Sequence, residues 1–164
     1  MDSGTVNEGA VDGRPTIVVG VDGSDCSRAA LGYALDDAVR RDARVRVVSV
    51  FDEPDYWAVA YGVSAPPPWH EVTVGLERAA QQVVDEVRAE TPQRGTVPVD
   101  VVAASGSPAK VLVEQARRAD LLVVGHRGRG GFASVMLGSV GLQCVLHGSG
   151  PVTIVRPEPA EPRS

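Results

Sequence analysis

The feature that most constrains this chain is a repeated alternation of short β-branched runs with longer segments of helical periodicity. "PTIVVGVD" (15–22) has the length and composition of a buried strand. "GSDCSRAALGYALDDAVRRD" follows it and places Leu31, Ala34, Leu35 and Ala38 on one helical face, with Ser24 or Asp25 positioned to cap. The pattern then repeats. "ARVRVVSVFD" reads as a second strand, and "HEVTVGLERAAQQVVDEVRAE" as a second helix with Val72, Leu76, Ala80, Val83 and Val87 in helical spacing. "TVPVDVVAA" is a third strand, and "SPAKVLVEQARRA" a third helix opened by Ser107 as cap and Pro108 at the first helical position. "DLLVVG", "SVGLQCVLHG" and "GPVTIVRP" complete the series as strand, helix and strand.

Strands joined through helices must run parallel, and strands apolar throughout need cover on both faces. The sequence therefore predicts one doubly wound α/β domain over residues 15–157, with a five-stranded parallel sheet in the order 3-2-1-4-5 and helices on both faces. A chain of 164 residues is of one-domain size. Residues 1–14 are polar and glycine-containing, and 158–164 are rich in proline and charge, so both are expected to be disordered tails.

Charge and cysteine usage narrow the function. A formal net charge of -5 with interspersed signs lacks the dense basic stripe of a nucleic-acid surface. No apolar run reaches membrane-spanning length, and the amino-terminal residues lack the basic start and apolar core of a signal peptide, so a cytoplasmic protein is expected. Cys26 and Cys144 match no metal or redox spacing and read as small, reduced, buried residues. His126 has no second histidine at ligand spacing, and His70 and His147 read as structural or solvent-facing. Ser24, Ser27 and Ser139 lack the elbow and the partners of a nucleophile, which leaves them as caps. Residues 51–70 carry both tryptophans and three consecutive prolines, which suits either a lid or a packed connection.

Ligands of doubly wound sheets settle beyond the carboxyl ends of the strands. Two segments lie there: "GVDGSD" after the first strand and "VVGHRGRGGFASVMLGS" (123–139) at the end of the fourth. Closely spaced glycines let a backbone wrap a phosphate, and a helix start supplies converging N–H groups. Arg127 and Arg129 add charge. A Walker loop needs a lysine after its last glycine, and the sole lysine, Lys110, stands elsewhere. A dinucleotide fingerprint belongs after the first strand, where the third glycine is missing.

The spacing that remains is Gly125, two residues, Gly128, nine residues, then Gly138 and Ser139. It resembles the signature of the ATP-binding branch of the universal stress proteins. "VGVDGSDCSRAAL", "GSPAKVLVEQARRADLLVVGHRGRGG", "LGSV" and "PVTIVRP" are similar to successive parts of that family, over residues 15–157. The resemblance implies a cytoplasmic ATP-binding protein, often dimeric, acting in stress or growth arrest. It places Gly20, Val21, Asp22 and Val50 around the adenosine, and Gly125, Arg127, Gly128, Arg129, Gly130 and Gly131 around ribose and phosphates. The same resemblance implies that Gly138, Ser139 and Val140 would hold the terminal phosphates, with magnesium accompanying them near Asp22. It implies a homodimer through strand five, where Val152 and Ile154 lie, and leaves the protein partner unnamed. Two positions depart from the family's habit: the pair His126 and Arg127 replaces a small residue followed by histidine, and Gly141 follows "GSV". A cAMP-binding member and a slow ATPase are the alternatives, and no acidic residue or glutamine between Gly125 and Gly141 is available to orient a hydrolytic water.

Overall fold

The computed structural model describes residues 13–52, 61–62, 68–128 and 136–159. Five strands, β1 (Thr16–Gly20), β2 (Arg44–Phe51), β3 (Val99–Ser105), β4 (Leu121–Gly125) and β5 (Val152–Val155), form one sheet in the order β3-β2-β1-β4-β5. Every pairing is parallel. Among the described residues four α-helices connect them: α1 (Asp25–Arg41), α2 (Trp69–Ala89), α3 (Pro108–Gln115) and α4 (Ser139–His147). The predicted class and strand order are those observed.

Burial in β1 shows how the layers assemble. Successive strand residues face opposite sides, so Ile17 and Val19 enter one apolar cluster while Val18 enters another, all three fully buried. The first cluster is completed by Leu31 and Leu35 of α1 and by Val84 and Val87 of α2. The second takes Leu112 of α3 and Cys144 of α4. Each fully buried Val, Ile or Leu contributes roughly 1.5–3 kcal/mol relative to exposure. Crossovers through α1 and α2 step from β1 outward to β3, whereas those through α3 and α4 step the other way. Right-handed crossovers in opposite directions put their helices on opposite faces, and the reversal falls between β1 and β4.

Ser24, not Asp25, caps α1: its backbone is extended and its hydroxyl accepts from the Ser27 amide at 3.2 Å. Ser107 and Pro108 open α3 in the expected positions, but the Ser107 side chain makes no capping hydrogen bond, and the helix stops at Gln115, short of the expected Ala119. In α2 the buried residues are Ala80, Val84 and Val87, while Val72, Leu76 and Val83 are half-buried.

The third strand begins at Val99 because a 3-10 turn, Pro92–Thr96, occupies the start of the segment read as strand. Arg94 anchors that turn. Its guanidinium grips Asp36 of α1 through two hydrogen bonds of 2.7 and 2.9 Å and also pairs with Glu90 at the end of α2. Gly32 lies beneath it; a Cβ there would stand 3.2 Å from the guanidinium. The cysteines differ from expectation in one respect. Cys144 is fully buried, and desolvation pushes its thiol above the usual range, but Cys26 is half-exposed.

Candidate functional site

The carboxyl ends of β1, β2 and β4 open into a cleft of about 590 Å³. Its floor is Gly20, Val21 and Val48, held in register by the Val21 amide, which donates to the Val48 carbonyl at 2.9 Å. Val50, Pro108 and Leu112 give one end apolar walls. The opposite end is Gly125, Arg127, Gly128 and the opening turn of α4, from Gly138 to Gly141.

Asp22 is fixed at the middle of this cleft by its own turn. Its Oδ1 accepts from the Ser24 amide at 2.9 Å, and its amide donates to the Ser27 hydroxyl at 3.3 Å. The Ser27 hydroxyl donates in turn to the Ser24 carbonyl at 2.9 Å. Gly23, at φ 81°, permits the tight turn between them. The carboxylate faces Gly128 so closely that a Cβ on that glycine would stand 2.8 Å from Asp22 Oδ2.

The glycine segment is anchored at both ends of its described part. The His126 amide donates to the Val155 carbonyl at 2.7 Å, and the His126 carbonyl accepts from the Gly138 amide at 2.9 Å. His126 is therefore buried, with its ring Nδ1 3.4 Å from Arg127 Nε. Gly138 sits at the N-cap of α4 and could not bear a side chain freely, since a Cβ would come within 3.3 Å of the Arg127 Cα and the His126 carbonyl oxygen. Gly125 answers to a different neighbour. A Cβ there would stand 2.7 Å from the Cys26 carbonyl carbon and 2.8 Å from its oxygen, so this glycine admits the first turn of α1 against β4.

Of the residues singled out from the sequence, Gly20, Val21, Asp22, Val50, Gly125, Arg127, Gly128, Gly138, Ser139 and Val140 all line the one cleft. Arg129, Gly130 and Gly131 lie outside the described residues, as does most of the 51–70 segment. Ser27, Val48, Asp52, Pro108, Leu112, Val124, Met136, Leu137 and Gly141 line the cleft without having been predicted to. Asp52 and Pro108 carried a usable signal, because each follows a strand's carboxyl end as Asp22 does. Among the described residues no group of three His, Cys, Asp or Glu side chains gathers as a metal site, and no helix is long and apolar enough to cross a membrane.

The architecture is that of a doubly wound α/β domain with an open cleft at its switch point. The universal stress protein family profile matches residues 13–156, and this chain belongs to that family. Universal stress protein Rv1996 of Mycobacterium tuberculosis is 34% identical over 158 residues, covering 89% of this chain and 50% of the relative. The chain thus spans about half the length of that curated relative. The universal stress protein UspA from Lactobacillus plantarum shares the fold at a TM-score of 0.65 with 25% identity, covering 87% of this chain and 97% of that one. A universal stress protein solved in complex with cAMP is also 25% identical, at a TM-score of 0.58 over 88% of this chain and 98% of its own.

Proposed function

We propose that the cleft binds an adenine nucleotide, ATP with magnesium, and that the protein acts as a cytoplasmic nucleotide-dependent sensor or effector in stress or growth arrest. One observation carries this reading. Gly125, Gly128, Gly138 and Ser139, set by spacing alone, line the same cleft as an apolar slot of Val21, Val50, Pro108 and Leu112. The slot suits a purine ring. The other end offers Arg127 and the first turn of α4, where helix amides and a cation favour phosphate. The residues fit the cation as well: Asp22 is the carboxylate that would meet magnesium arriving on the phosphates, and magnesium, when bound, neutralises phosphate charge.

The protein is a binding module in this reading, not an enzyme. Its cleft supplies groups that hold ground-state phosphates, and uniform binding of ground and transition states gives affinity without rate. The fold neighbour crystallised with cAMP favours a second reading, in which the cleft takes the cyclic nucleotide. Mass spectrometry of the nucleotide carried by the purified protein, followed by competition calorimetry, separates the two. The expected result is ATP bound at least about tenfold more tightly than cAMP, or about 1.4 kcal/mol; preference for cAMP would replace the first reading with the second. The homodimer is proposed through β5, an edge strand whose four residues are all half-buried in the single chain.

A further inference from the structure

A second cavity, of about 500 Å³, adjoins the first at Arg127 and Gly128. Its walls are the first turn of α1 with Asp25 and Cys26, the segment after β4 with His126 and Arg127, and the chain beyond β5 with Arg156. Three stretches far apart in sequence thus converge, and two of them bring a guanidinium. Arg156 is exposed, and no carboxylate among the described residues pairs with it. Asp25 brings a carboxylate to the same wall. Guanidinium groups present fixed forks of donors that match carboxylate and phosphate oxygens, often bidentately. A concavity of this size also exceeds what a single ion needs and accommodates a small organic anion.

We propose that this second cavity is a binding site for a small oxyanion, a phosphorylated or polycarboxylated metabolite, held by Arg156 and Arg127. The site adjoins the nucleotide cleft, with Arg127 and Gly128 in the walls of both, and does not rest on the nucleotide reading. Arg127 lines both cavities, but Arg156 and Cys26 line only the second, which makes those two positions the diagnostic ones.

Cys26 supplies a local reporter, because this half-exposed residue lines the cavity while Cys144 is fully buried and serves as the slow internal reference. Alkylation by iodoacetamide, a neutral reagent, would be followed by intact mass on the full chain. Inorganic phosphate and citrate form separate arms, against sodium chloride at matched ionic strength. The expected result is several-fold slower Cys26 alkylation with at least one of the two anions, lost in Arg156→Gln and partly retained in Arg156→Lys. The arm that protects assigns phosphate or carboxylate as the preferred chemistry. Protection by neither anion, or protection unchanged in Arg156→Gln, would overturn the site.

Discussion

The carbonyl of His126 accepts a hydrogen bond from the amide of Gly138 at 2.9 Å, so residues twelve positions apart are tied where the glycine segment leaves β4 and enters α4. With the His126 amide bound to Val155, the segment's footing is set by the sheet edge and by a helix start together. The end of the cleft proposed for phosphate therefore starts and finishes on anchored backbone, which would lower the ordering cost of binding there.

Replacing Gly128 and Gly138 together by valine is expected to abolish nucleotide binding while leaving the domain folded. At Gly128 the new side chain meets the Asp22 carboxylate, and at Gly138 it presses on the backbone of Arg127 and His126. Both changes crowd the proposed phosphate path. Calorimetry on the folded double variant checks this, and ATP affinity equal to that of the parent would remove the assignment.

Gly125→Ala should behave differently and lower stability in the absence of any ligand. The added methyl would lie 2.7 Å from the Cys26 carbonyl carbon, and a backbone neighbour cannot swing aside as a side chain does. Overpacking of this kind costs about 1–3 kcal/mol. A urea midpoint unchanged from the parent would show that Gly125 is not needed for the approach of α1 to β4.

Arg94→Ala should destabilise the contact of α1 with α2 by about 1–3 kcal/mol, since a largely buried guanidinium with three carboxylate hydrogen bonds is lost. The effect should depend on pH. The hydrogen bond from Arg94 holds the Asp36 carboxyl below its usual 3.8, against a smaller opposing effect of burial. A depressed folded pKa contributes stability that is fully present above the unfolded value and is lost as pH falls through the folded one. The gap between parent and variant should therefore persist at neutral pH and narrow below 3.8. Thermal melts from neutral to acidic pH would refute the pairing if the gap stayed constant.

The proposed dimer predicts that Val152→Lys with Ile154→Lys yields a monomer. Both residues sit on the edge strand β5, half-buried in the single chain, and lysine there would place charge within a two-fold strand pairing. Light scattering at tens of micromolar should show a dimer for the parent and a monomer for the variant. A monomeric parent, or a dimer indifferent to both lysines, would move the interface elsewhere.

Phosphate release from ATP should stay far below the roughly 1–100 per second of dedicated kinases. Hydrolysis requires a group that orients water, and no acid or glutamine stands between Gly125 and Gly141. Turnover at kinase rates, abolished by Ser139→Ala, would make the protein an enzyme.

Much of the fold was legible because periodicity is local. The alternation of Ile17, Val18 and Val19 and the spacing of Leu31, Ala34, Leu35 and Ala38 each report a neighbourhood of a few residues, and right-handed crossovers then restrict how the elements stack. The spacing of Gly125, Gly128, Gly138 and Ser139 likewise survives in the linear text and carries the family signature. What those glycines touch does not. That Gly125 answers to Cys26 while Gly128 faces Asp22 depends on how α1 lies across β4, a contact between segments about a hundred residues apart. Pro108 and Leu112 enter the cleft because α3 packs on the second face of the sheet, and Arg94 reaches Asp36 across a separation of 58 residues. A sequence records propensities that act along the chain, whereas partners chosen across the sheet are decided by packing, whose energy depends on distances that exist only once the layers have closed.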